Sequence, residues 1–126
     1  MPANSGNSNF LQSLRCALSG FAEALRIERN LKIQIGFAVL AIVLGLAFSI
    51  SLIEWLVIIV CIGAVFGLEC MNTALESVVD LASPDYHELA RRAKDVAAGG
   101  VLAMAICSFV IGATIFAPRI IAVLIG

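Results

Sequence analysis

Charge is scarce in this sequence. Only 13% of its 126 residues are Asp, Glu, Lys or Arg, against 61% that are apolar, and the mean hydropathy is +1.03. Soluble domains carry about 25% charged and 45–50% apolar residues. A chain this short cannot cover so much apolar surface with itself, because small domains bury the smallest fraction of theirs. Most of it must face lipid or other apolar helices. A basic excess is also missing: the net charge is −1, which excludes a field aimed at nucleic acid. There is one histidine, His87, and the four cysteines (Cys16, Cys61, Cys70 and Cys107) form no C-x-x-C pair, so a zinc site is excluded. No G-x-x-x-x-G-K-[ST] stretch occurs, which excludes a P-loop. No internal repeat and no second domain are visible, and residues 1–126 read as one domain.

What is present is apolar length. The Ser/Asn/Gly-rich segment Met1–Asn9 is expected to be disordered. From Phe10 to Arg29, Leu11, Leu14, Leu18, Phe21 and Leu25 fall within an arc of about 80° on a helix. This stripe fits a helix lying on a membrane surface and equally a helix packed on its own protein. Three spanning helices are expected after it. The first covers 33–53, which holds no charge. The second covers 55–81, apolar through Leu68 and then mixed. The third covers 96–117, again without charge, and Pro118 and Arg119 follow it. About 20 helical residues cross the roughly 30 Å hydrocarbon core. The first apolar run is too long for a signal-peptide core, so the N-terminus is expected to be retained. Ser83-Pro84-Asp85 reads as a turn or helix start.

Basic residues set the expected topology. Arg15, Arg26, Arg29 and Lys32 precede the first span, and Arg91, Arg92 and Lys94 lie between the second and third. Only Arg119 falls on the other side. The positive-inside rule makes the N-terminus cytoplasmic and the C-terminus external, so the location is the cytoplasmic (inner) membrane.

The second span carries the chemistry. Glu69, Asn72, Thr73, Glu76 and Asp80 share an arc of about 100° on an otherwise apolar helix. Ionisable groups in a spanning helix are costly and face a cavity, a partner or a pathway. Three carboxylates on one face repel one another, and a hard cation such as Mg²⁺, bound together with phosphate oxygens, would relieve that repulsion. Lys94 and Asp95 sit at the same membrane level, as does Glu28. Acids for a metal and a lysine for phosphate form an inventory suited to phosphoryl transfer. Ala97, Ala98, Gly99, Gly100 and Ala103 read as a small-residue face for close helix packing.

The stretch Glu69-Cys70-Met71-Asn72-Thr73-Ala74-Leu75-Glu76-Ser77-Val78-Val79-Asp80 resembles the E-x-x-N-[TS]-A-x-E-x-x-x-D motif of the prokaryotic integral-membrane diacylglycerol kinase family, which includes undecaprenol kinases. Ala93-Lys94-Asp95 followed by small residues, Ala17-x-x-Gly20 and Glu28-Arg29-Asn30 extend the resemblance from about Phe10 to Pro118. It implies an all-α integral membrane protein, a surface helix plus three spanning helices, assembled as a homotrimer with active sites shared between chains. It further implies an ATP-dependent lipid kinase, with MgATP as phosphate donor and a membrane lipid alcohol as acceptor.

By the same resemblance Glu69 is the catalytic base, and Asn72 orients it or the γ-phosphate. Glu28 and Glu76 hold Mg²⁺. Lys94 meets phosphate with Asp95 beside it, and Asp80, Asp85, Tyr86 and His87 lie near the nucleotide. Each residue also has a plainer reading. Glu69 fits a buried acid paired within the bundle, Glu28 and Glu76 fit partners of Arg29 or Lys32, and Asn72 fits interhelical glue. Lys94-Asp95 fits a membrane-edge marker, Asp80 a helix cap, and Asp85 to His87 a solvated loop.

Two positions depart from the family pattern. Cys16 stands where an aromatic residue is common, and Gln34 where the diacylglycerol kinase branch has an acid. The Glu28-Arg29-Asn30 and Lys94-Asp95-Val96-Ala97-Ala98-Gly99 wording resembles the undecaprenol kinase branch, so undecaprenol is the expected acceptor and diacylglycerol the alternative. A proton-coupled transporter using Glu69 and Glu76, or a non-catalytic scaffold, would leave Lys94 and Glu28 without a role.

Overall fold

Long uncharged runs broken by short polar connections become four helices in a computed structural model that describes residues 6–126. Helix α1 spans Gly6–Ile27, α2 Arg29–Ala47, α3 Leu52–Ala82 and α4 Glu88–Ile125. The protein is all-α, and α2, α3 and α4 are each long and apolar enough to cross a membrane. At ~1.5 Å per residue, α3 and α4 are about 46 and 57 Å long and must project beyond the roughly 30 Å hydrocarbon core.

Several boundaries differ from the expected ones. Of the expected disordered segment, residues 1–5 lie outside the described part, whereas Gly6–Asn9 begin α1. Arg29, placed with the surface helix from its sequence, opens α2 instead, because the chain leaves helical geometry for a single residue, Glu28 (φ −95°, ψ 113°). Pro84 does not start a helix. Ser83 donates a hydrogen bond to the Asp85 carbonyl (2.9 Å), and α4 begins only at Glu88, where the His87 imidazole Nδ1 accepts from the Leu89 amide (3.1 Å). A side chain that satisfies a free amide marks the helix start more decisively than proline does. Pro118 likewise does not end α4, which continues to Ile125. There Arg119 donates to the Ile115 carbonyl (2.6 Å) and pairs with Glu54 at 3.1 Å, tying the far ends of α3 and α4 together.

The α2–α3 hairpin turns on close packing. Ser49 takes a left-handed conformation (φ 50°), and the Ser51 hydroxyl accepts from the Glu54 amide (3.2 Å) to start α3. Ile50, Ile58 and Phe116 form the buried cluster beside it, flanked by Trp55. A Cβ on Gly45 would stand 2.6 Å from the Trp55 ring. Gly45→Ala is therefore expected to lower stability by about 1–3 kcal/mol, read as a lower thermal midpoint in detergent. Gly36→Ala, on the same helix with open space around it, is the control and should not lower it.

The buried face of α3 is Ile58, Cys61, Val65, Glu69 and Asn72. These residues follow the three-and-four spacing of a packed helix seam. The apolar seam thus runs directly into the carboxylate stripe, and Glu69 occupies the next position of the packing surface. It lies 17 residues from Leu52, about 26 Å along the helix. That distance is close to the roughly 30 Å thickness of a hydrocarbon core. Much apolar surface stays open in this single chain, such as Val60 (67% exposed) and Phe109 (74%). Such surface suits lipid or neighbouring helices. The last turns of helix α1 touch the bundle, where Ala24 is buried and Phe21 meets Phe66 with ring centroids 6.1 Å apart. Leu11, Leu14 and Leu18 remain exposed, which favours the surface-lying reading of the amphipathic stripe for that part of the helix.

Candidate active site

Glu69 is the most enclosed ionisable residue among those described, at 2% exposure. Packing on α2 puts it opposite Gln34, whose amide Nε2 donates to Glu69 Oε1 at 2.8 Å. One turn further along α3, Asn72 is also buried. Its Nδ2 donates to Glu76 Oε1 at 3.2 Å, while its Oδ1 is enclosed with no partner. Thr73 turns its hydroxyl back to the Glu69 carbonyl (3.0 Å) and so serves the helix more than the site. Glu28 occupies the break between α1 and α2. Its amide completes α1 by bonding the Ala24 carbonyl (2.8 Å), its side chain makes no cap hydrogen bond, and an acid here is favoured by the helix dipole of α2. Glu28 and Glu76 both lie within Coulombic reach of Glu69. One carboxylate at the α1–α2 break and two on α3 are thus near enough to act on one another.

Opposite charge comes from α4. Lys94 pairs with Asp80 across the α3–α4 contact, and the Glu76 charge also reaches it. The pair is partly open, with side-chain exposures of 38% and 65%. Asp95, one residue on, is turned about 100° around the helix and bonds Arg91 instead (2.6 Å). Arg91 also pairs with Glu88, which accepts from the Tyr86 hydroxyl (2.7 Å). His87 is occupied as the cap of α4, and Asp85, Tyr86 and His87 are all exposed. The structure thus gathers Glu28, Glu69, Asn72, Glu76, Asp80 and Lys94, and leaves Asp85, Tyr86, His87 and Asp95 on an outer rim. The small-residue face is uncovered within the chain, since nothing approaches a Cβ placed at Gly99 or Gly100.

Sequence reasoning treated Gln34 only as a departure from a pattern. A signal existed, because it is the one amide in an otherwise apolar run. The partner of Arg119 was missed as well, although Glu54 and Arg119 flank the two apolar runs that the fold lays side by side.

Among the described residues, no three His, Cys, Asp or Glu side chains form a self-contained metal cage. The donors present are nevertheless the right kind for Mg²⁺, which is usually held by one or two carboxylates with phosphate oxygens and waters. Glu28 and Glu76 are half-buried, supply hard oxygens and face a common neighbour in Glu69. A trough of about 490 Å³ on α1 (Leu11, Gln12, Arg15 and Cys16) and one of about 250 Å³ between α3 and α4 near Glu54 are not lined by Glu28, Glu69 or Glu76.

Known proteins resemble this chain. Residues 15–116 match the family "Prokaryotic diacylglycerol kinase". The chain is 40% identical to an undecaprenol kinase of Bacillus subtilis (strain 168), over 90% of this chain and 92% of that one. It is 37% identical to a diacylglycerol kinase of Synechocystis sp., over 93% of this chain and 67% of that one. A diacylglycerol kinase of Haemophilus influenzae is 30% identical over 92% of this chain and 99% of its own length. With a match across most of its length, the chain belongs to the prokaryotic diacylglycerol kinase family.

Proposed function

We propose that this protein transfers the γ-phosphate of MgATP to the hydroxyl of undecaprenol. The chain is a multi-pass membrane lipid kinase that uses a nucleotide donor such as ATP. The more specific reading rests chiefly on one arrangement: an enclosed carboxylate, Glu69, held at one oxygen by Gln34, with a lysine within reach of the same acidic cluster.

In this reading the lipid hydroxyl approaches Glu69 from the bilayer side. As its oxygen attacks the γ-phosphorus, the O–H proton passes to a Glu69 carboxylate oxygen. The new O–P bond forms, the bond from the γ-phosphorus to the β,γ-bridging oxygen breaks, and ADP leaves with that electron pair. Glu28 and Glu76 would hold Mg²⁺, which supplies charge neutralisation of the triphosphate. Lys94 exchanges Asp80 for a phosphate oxygen, since a phosphate carries more charge than one carboxylate. Asn72 donates to Glu76 and so orients that carboxylate. Asp80, Asp85, Tyr86, His87 and Asp95 surround the nucleotide as an outer rim. Burial of Glu69 excludes water, which would otherwise take the phosphate.

Open apolar faces, and troughs not lined by Glu28, Glu69 or Glu76, support a site completed by neighbouring copies, for which a homotrimer is the proposed assembly. Seven of the eight basic residues on one side of the spans support a cytoplasmic N-terminus, an external C-terminus and location in the cytoplasmic membrane.

Undecaprenol is preferred because the relative named undecaprenol kinase combines 40% identity with alignment over 90% of this chain and 92% of its own length. Diacylglycerol is the second reading, favoured by the relatives named diacylglycerol kinase. Both alcohols, offered in competition in mixed micelles with γ-labelled MgATP, separate the two. Excess labelled undecaprenyl phosphate is expected, and excess labelled phosphatidic acid would overturn the choice of lipid.

A further inference from the structure

Gln34 has two amide ends, and the site accounts for only one of them. Its Nε2 donates to Glu69 Oε1 at 2.8 Å, whereas its own Oε1 is enclosed and has no partner. It sits on the second turn of α2, beyond Glu28 and Leu31; Leu31 is fully buried, so this end of the helix is firmly seated. The Gln34 bond holds one oxygen of Glu69 and leaves the other free of hydrogen bonds from the described protein groups.

We propose that Gln34 is a positioning residue for phosphoryl transfer, a partner that serves Glu69 both before and after it takes the proton. This rests on the reading of Glu69 as the base. Before transfer, the Gln34 NH₂ donates to the carboxylate, fixes its plane and presents the free oxygen to the lipid hydroxyl. After transfer, Glu69 carries an O–H. The proton lands on the oxygen that faced the lipid, so a half-turn of the Glu69 carboxyl brings the O–H round to position 34, where rotation of the Gln34 amide by about 180° presents Oε1 as its acceptor. An amide can make both bonds without changing its own charge. A carboxyl group at this position could donate only while protonated, and then only by sharing one proton with Glu69. An apolar side chain could do neither. The enclosed oxygen without a partner is thereby explained as an acceptor held for the other half of the cycle. Glu28 and Glu76 are the like charges that also act on Glu69, and a carboxyl at position 34 would add another to them.

The test uses Gln34→Met and Gln34→Glu in the full-length protein, with Glu69→Gln alongside. Gln34→Met keeps the volume and suits an apolar helix, so assembly should be retained, with a thermal midpoint lowered by the lost partner of Glu69 but still well above the assay temperature. Its kcat should fall roughly 10- to 100-fold, the scale of a misplaced catalytic group. KM for ATP and for undecaprenol should stay within about twofold, because the contact is to the base and not to either substrate. Gln34→Glu should retain more activity than Gln34→Met, and its pH–rate profile should gain an alkaline limb that the parent lacks, as the shared proton is lost. A Gln34→Met variant with parental kcat, one in which only the alcohol KM rises, or a Gln34→Glu variant with an unchanged pH profile would each overturn the proposal. With Glu69→Gln inactive, such results remove only the role of Gln34. Parental turnover by Glu69→Gln removes the base reading, and this proposal with it.

Discussion

Glu69→Gln is expected to leave a folded, nucleotide-binding protein that turns over about 10²- to 10⁴-fold more slowly, the range that general-base catalysis commonly contributes. The substitution preserves shape at a position that is 2% exposed. It also preserves the contact to α2, because two facing amides can still make one hydrogen bond between positions 34 and 69. Folding is therefore spared while the proton acceptor is removed. The measurement is transfer of labelled γ-phosphate to undecaprenol, with the thermal midpoint in detergent and nucleotide binding measured on the same sample. Parental turnover in a well-folded variant would show that the proton leaves by another route. An inactive variant that also loses its assembly would return Glu69 to the role of a buried packing acid.

Lys94→Met should reduce kcat/KM for ATP by about 10²- to 10³-fold, in keeping with the loss of one group that stabilises charge in the transition state. Asp80→Asn should cost less than about tenfold. The two residues are bonded to each other in the structure, so a purely structural latch would make the two losses equal. Their exposure argues against a latch, because partly open ion pairs add little to stability. Removing Asp80 frees the lysine for phosphate, whereas removing Lys94 leaves the triphosphate without a cationic partner from α4. Steady-state kinetics with ATP varied at saturating lipid decide the matter. Equal losses, accompanied by a lower thermal midpoint, would identify the pair as a clasp between α3 and α4.

Much of this site was legible in the order of the residues. Helical periodicity alone brings Glu69, Asn72, Thr73, Glu76 and Asp80 onto one face, because the angle between residues on a helix is nearly constant. Near-absence of charge over 33–53 and 96–117 is enough to place those segments in an apolar medium. Residues brought together from different helices were not legible. Gln34 and Glu69 are 35 positions apart, and Glu54 and Arg119 are 65 apart. No local period connects such positions. The angle between consecutive residues sends Lys94 to Asp80 and Asp95 to Arg91, yet the dipeptide reads as a unit in sequence. Helix ends were the other weak point, as at Pro84 and Pro118. A proline signal is local, whereas the actual start is decided by which group satisfies the free amides, here the His87 ring.

The sequence by itself determined that this chain is helical, lies mostly in lipid, and carries a one-sided row of acids on its second spanning helix. Those properties follow from composition and from a fixed helical pitch, and neither needs a neighbour. Only the tertiary structure decided that Glu69 and Asn72, the start of the row, continue the buried seam of α3. It also decided that an amide from α2 holds Glu69, and that Lys94 reaches the acids from α4. Each of these depends on how the helices are rotated and registered against one another. That is set by side-chain packing summed over the whole interface, such as the seating of Trp55 on Gly45 and of Leu31 beside the break at Glu28.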